Sequence, residues 1–113
     1  MPYYIRVFEF IETPFFTGAV LRYLTDDDYA KLQGHMNAHP ESGAVVPGSG
    51  GVRKLRWGMT GRGKRGGLRV IYYLRRRPDQ IWMLTLYGKN AQENIPAHLL
   101  RQMKEAIDDD QDD

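Results

Sequence analysis

Alternation of apolar with polar or basic side chains marks three stretches of this chain as strands. In Val52–Trp57, Lys54 and Arg56 point one way while Arg53, Leu55 and Trp57 point the other. In the next stretch Leu68, Val70, Tyr72 and Leu74 share one face, and Arg69, Ile71, Tyr73 and Arg75 the opposite one. A third strand spans Ile81–Tyr87 and ends at Gly88-Lys89-Asn90, and an earlier aromatic-rich one covers Tyr3–Phe10. Helical spacing replaces alternation elsewhere. Tyr29, Leu32 and Met36 form one stripe, and Leu99, Leu100, Met103 and Ile107 another. Thr25, followed by three aspartates, is an N-cap with acidic residues at the positive end of the helix dipole. His39-Pro40 closes that helix, and Pro96 opens the last one. Thr13-Pro14 starts a short helix reaching about Tyr23. The order predicts an α+β fold: an antiparallel sheet of about four strands with helices packed on one face, the other face open and basic.

Length and charge sharpen this picture. At 113 residues the chain has room for one modest core, assigned to residues 1–107. The absence of cysteine removes disulfides and thiolate metal sites, no apolar run approaches the ~20 residues of a membrane span, and MPYYIRVFEF lacks the order of a signal peptide. A cytoplasmic location is the expectation. The net charge of +2 conceals segregation, because five acidic residues fall in Asp108–Asp113. Residues 1–107 carry sixteen basic against nine acidic groups, or +7, and the acidic tail 108–113 is expected to be disordered and solvated.

The positive charge concentrates in PGSGGVRKLRWGMTGRGKRGGLRVIYY, Pro47–Tyr73, which holds no acidic residue. Gly58-Met59-Thr60-Gly61-Arg62-Gly63-Lys64 has the spacing of a phosphate-binding P-loop, but Arg65 replaces the magnesium-binding hydroxyl and a strand follows instead of a helix. His35 and His39 stand i, i+4, with no carboxylate at ligand spacing to complete a metal set, and neither metal nor cofactor is expected. Basic groups interleaved with Trp57, Tyr72, Tyr73 and Tyr87 suit single-stranded nucleic acid, cations tracking phosphates and rings stacking on bases. The same residues permit RNA cleavage. The 2′-OH is a built-in nucleophile, a lysine crowded by other cations can accept its proton, and arginine's planar fork fits the phosphorane oxygens.

Three ordered blocks, PGSGGVRKLRW, GRGKRGGLRVIYY and LTLYGKN, resemble the HigB-type branch of the RelE superfamily of type II toxins. That resemblance runs from Asp26 to the closing helix and excludes the DDDQDD tail. It implies a ribosome-dependent mRNA endoribonuclease whose partners are the ribosome, mRNA and a cognate antitoxin, often a helix-turn-helix protein. It also implies catalytic roles for Lys54, Arg56, Arg69 and Lys89. Lys54 or Lys89 would transfer the proton, Arg69 would meet the phosphorane charge, and Arg56 would position the strand. Arg53, Arg62, Lys64, Arg65, Tyr73 and Tyr87 would bind RNA. Two other readings fit the same charge pattern: a non-catalytic RNA- or DNA-binding module, and an interaction protein docking an acidic partner.

Overall fold

A computed structural model describes residues 7–58, 67–89 and 95–111 of the chain. The elements in order are β1 (Glu9–Glu12), α1 (Pro14–Tyr23), α2 (Asp26–Ala38), β2 (Ala44–Val45), β3 (Arg53–Trp57), β4 (Leu68–Arg75), β5 (Gln80–Gly88) and α3 (Ala97–Gln111). The strands form one five-stranded sheet in the order β1-β5-β4-β3-β2.

The α+β class holds, but the sheet is mixed and five-stranded where an antiparallel sheet of four was expected. β3, β4 and β5 form the antiparallel meander, whereas β1 lies parallel to β5, with Phe10 beside Ile81. Parallel neighbours need a long crossover, and here the whole intervening chain supplies it. The first strand also lies later than predicted: Glu9–Glu12 overlaps Tyr3–Phe10 only at Glu9 and Phe10, and residues 1–6 fall outside the described part.

Both predicted caps form. Thr13 Oγ1 accepts from the Phe16 N–H at 3.2 Å and donates to the Leu84 carbonyl at 2.6 Å, which pins the start of α1 to β5. Thr25 Oγ1 accepts from the Asp28 N–H at 3.1 Å, and Asp26, Asp27 and Asp28 occupy the first turn of α2. The Glu12 carboxylate then joins three elements, accepting from Tyr29 Oη at 2.6 Å and Thr17 Oγ1 at 2.7 Å.

Helices cover both faces, not one. Phe16, Val20, Leu32 and Met36 of α1 and α2 pack on Leu55, Val70, Tyr72, Ile81, Met83 and Leu86. On the opposite face Leu100 and Ile107 of α3 pack on Val52, Ile71 and Leu84, with Tyr73, Trp82 and Tyr87 around them. The cause lies in β4 and β5, whose alternate positions are apolar on both sides, so neither face can be left entirely to water. Leu99, assigned to the buried stripe of α3, is instead 41% exposed.

The acidic tail is also corrected in part. α3 runs through Gln111, so Asp108, Asp109 and Asp110 are helical rather than disordered. Asp108 accepts from Tyr73 Oη at 3.1 Å and pairs with Lys104 Nζ at 3.0 Å, so the start of the tail locks the helix to the sheet.

Three tyrosines give the fold an alkaline limit. Burial raises Tyr29, Tyr72 and Tyr73 above the ordinary value of 10.0, and the carboxylates of Glu12 and Asp108 push Tyr29 and Tyr73 the same way. Each phenol holds its proton more tightly folded than unfolded. Their contribution is therefore complete below pH 10.0 and is lost as pH rises through the raised folded values. Urea unfolding midpoints are expected to fall steadily above about pH 10; a midpoint that stays flat there contradicts this account.

Candidate nucleic-acid interface

Register across the meander positions the basic groups. Arg56 of β3 stands directly opposite Arg69 of β4, and Arg69 stands opposite Tyr87 of β5. Opposed residues of an antiparallel pair have Cα atoms about 4.5–5.5 Å apart. Two guanidinium-bearing residues in that relation repel, which disfavours the pairing unless an anion lies between them.

Lys89, one residue beyond β5, completes the group. Arg56, Arg69 and Lys89 line one open cleft of about 260 Å³, with Trp57, Gly58 and Gly67 forming the rest of its wall. Arg56 and Lys89 are exposed and Arg69 is half-buried. The Arg69 Nη1 donates to the Gly67 carbonyl at 3.1 Å, which fixes one arm of the fork. No carboxylate among the described residues forms an ion pair with any of these three side chains. A cationic cleft with no counter-ion among the described residues suits phosphate, and two guanidiniums give it bidentate donors.

Three of the four expected catalytic residues thus share a cleft. The fourth, Lys54, points to the same face two residues from Arg56 and lines the adjoining groove. Arg53 takes no part. Strand alternation turns it to the α1–α2 side, where its Nη1 donates to the carbonyls of Gly43 at 2.7 Å and Glu41 at 3.1 Å. Arg62, Lys64 and Arg65 lie outside the described residues.

The aromatic residues have more structural work than their spacing suggested. Tyr72 is wholly buried, so no base can stack on it. Tyr73 lies under α3, its hydroxyl on Asp108 and the Lys104 ammonium 5.9 Å from its ring centre. Tyr87 is half-buried against the α3 core. Trp57 stacks at a tilt on His35, ring centres 5.1 Å apart, while its body helps wall the cleft. His35 and His39 also lie together, 5.3 Å between ring centres, and His35 Nε2 meets Ser42 Oγ at 3.2 Å. Among the described residues no group of three or more His, Cys, Asp or Glu is placed to hold a metal ion. No described helix is long and apolar enough to cross a membrane.

No protein-family model matches the chain. The site therefore rests on its own geometry. One contributor that strand reading alone did not single out is the backbone around the cleft: Gly58, just after β3, and Gly67, just before β4, line it together with Lys89.

Proposed function

We propose that this protein is a ribosome-dependent mRNA endoribonuclease of the HigB type, the toxin of a type II pair acting in the cytoplasm and held inactive by a cognate antitoxin. The observation that carries the reading is the cleft in which Arg56 faces Arg69 beside Lys89, with no carboxylate among the described residues paired to any of the three. A structural role gives no reason to oppose two arginines. An RNA phosphate does.

In this reading the 2′-oxygen of the messenger attacks the adjacent phosphorus and the 5′-oxygen departs, leaving a 2′,3′-cyclic phosphate and a 5′-hydroxyl. Arg69 meets the charge that grows on the non-bridging oxygens, and Arg56 holds the strand in line. Lys89 shares the cleft with Arg69. It relays the 2′-OH proton, while the departing 5′-oxygen takes a proton from water to become the 5′-hydroxyl and Lys54 grips the strand alongside. Because the nucleophile belongs to the RNA, positioning and charge neutralisation account for most of the work.

Induced expression tests the proposal against a binding module without catalysis. Growth is expected to stop within minutes while cellular mRNAs shorten, and co-expression of the neighbouring reading frame is expected to restore growth. Salt-sensitive RNA binding with intact messages on translating ribosomes would instead identify a non-catalytic binder.

A further inference from the structure

At the C-terminal end of α2 an open cavity of about 640 Å³ is lined by His35, His39, Pro40, Glu41, Ser42 and Arg76. The proposed RNA chemistry uses none of these side chains. His35 lies in the last turn of α2 and His39 is its C-cap, so the two stand on one side of the helix, one turn apart. Their ring centres are 5.3 Å apart. That spacing suits a shared ligand. A nitrogen donor lies about 2.0–2.1 Å from a first-row ion, which puts the centre of its ring about 3.2 Å from that ion. Two imidazoles meeting one ion at about 90–110° therefore have ring centres about 4.5–5.2 Å apart. The observed pair reaches this range with a small side-chain adjustment.

The surroundings favour a cation over an anion. His35 is half-buried, its ring held against Trp57 with 5.1 Å between centres, and its Nε2 meets Ser42 Oγ at 3.2 Å. When Nε2 donates its proton to that hydroxyl, Nδ1 keeps a lone pair for an ion, as the outer partners of metal-binding histidines arrange. The end of a helix where its carbonyls emerge carries negative partial charge, which a phosphate would oppose. Arg76, the guanidinium in the cavity, pairs with the Glu41 carboxylate at 3.4 Å. The connector beyond the helix is also fixed in advance. Tyr72 Oη donates to the Pro40 carbonyl, Arg53 Nη1 donates to the carbonyls of Glu41 and Gly43, and the Ser42 N–H donates to the His39 carbonyl at 3.1 Å. Little ordering is left for a bound ion to impose, which raises affinity.

We propose that His35 and His39 together bind a divalent first-row transition ion, Cu²⁺ most tightly, with water completing its coordination. A closed structural site would need a larger set, and among the described residues no cluster of three is placed for one. Two imidazoles with open positions need no such cluster. Nitrogen donors of this kind take transition ions rather than Mg²⁺ or Ca²⁺, and affinity runs Ni²⁺ < Cu²⁺ > Zn²⁺. The ion ties the last turn of α2 to its cap, so it stabilises the folded chain by mass action. This site is separate from the arginine cleft and holds whatever that cleft does.

Titration of the full-length protein with Cu²⁺ tests the site, read by tryptophan fluorescence and electron paramagnetic resonance. One equivalent is expected to bind with micromolar affinity or better. It should quench Trp57, whose ring touches His35, and spare Trp82 on the α3 side of the sheet. The resonance spectrum should show two imidazole nitrogens. His39→Ala changes an exposed position, so the fold is retained, and it is expected to weaken binding at least about tenfold, since even outer partners of a ligand are worth that much. Ser42→Ala is expected to weaken it by up to about tenfold. His98→Ala, on the exposed side of α3, should change nothing. Equal affinity in wild type and His39→Ala overturns the site, as does binding at millimolar Cu²⁺ only or a spectrum with a single imidazole nitrogen. None of these readings involves RNA, so their failure is distinguishable from failure of the cleavage reading.

Discussion

Arg69→Ala is expected to slow messenger cleavage on translating ribosomes by about 10²–10³, the loss seen when one preorganised donor to a developing oxyanion is removed. Arg69 is the residue to choose because it is half-buried, tethered by the Gly67 carbonyl and opposed by Arg56, so its position costs little to reorganise during reaction. Arg69→Lys keeps the charge and loses the planar fork, and an intermediate rate is expected. Arg56→Ala should weaken binding more than it slows the bound reaction, since that side chain is exposed and lines both the arginine cleft and the adjoining groove. Lys89→Ala should reduce the single-turnover rate more than Lys54→Ala does, because Lys89 lines the arginine cleft and Lys54 the groove beside it. Stability provides the control. Removing Arg69 relieves a like-charge pair, so the melting temperature should hold or rise slightly while activity collapses. Cleavage at the wild-type rate by folded Arg69→Ala would end the assignment.

Strand parity was the most legible part of the sequence. With period two, the arginines and lysine of β3 and β4 sort to faces without any tertiary information, and Lys54, Arg56 and Arg69 do lie opposite Leu55, Val70 and Tyr72. Caps were equally local: Thr13 and Thr25 each satisfy an N–H three residues on, which short-range chemistry determines. What stayed hidden depends on long-range pairing. Nothing local tells β1 to run parallel beside β5, seventy-one residues away at Glu9 and Gln80. The cover of the second face by α3 was foreshadowed by Ile71, Leu84 and Trp82, apolar positions on the side assigned to RNA. Asp108 shows the same limit: judged by its neighbours in sequence it is tail, but judged by Tyr73, Arg75 and Lys104 in space it is an anchor.

Tyr72→Ala is expected to destabilise the fold by at least about 3–5 kcal/mol, the range for removing a large ring from a packed core. The ring is fully buried between the α1–α2 layer and the sheet. Its hydroxyl does separate work. Oη donates to the Pro40 carbonyl at 2.7 Å and accepts from the Gly43 N–H at 2.9 Å, so one atom closes the segment linking α2 to β2. Tyr72→Phe keeps the packing and strands both backbone groups, which costs about 1–3 kcal/mol. A domain of this size unfolds with roughly 5–15 kcal/mol. The alanine variant should therefore be largely unfolded or melt far lower, and the phenylalanine variant should melt roughly 4–8 °C lower per kcal/mol lost. The approach is tight enough to test from the other side. A Cβ on Gly43 would sit 2.8 Å from Tyr72 Cε1, so Gly43→Ala must shift the ring or the segment. Urea unfolding of Tyr72→Phe within about 0.5 kcal/mol of wild type, a shift typical of an inconsequential surface change, would show that the hydroxyl does not hold this connection.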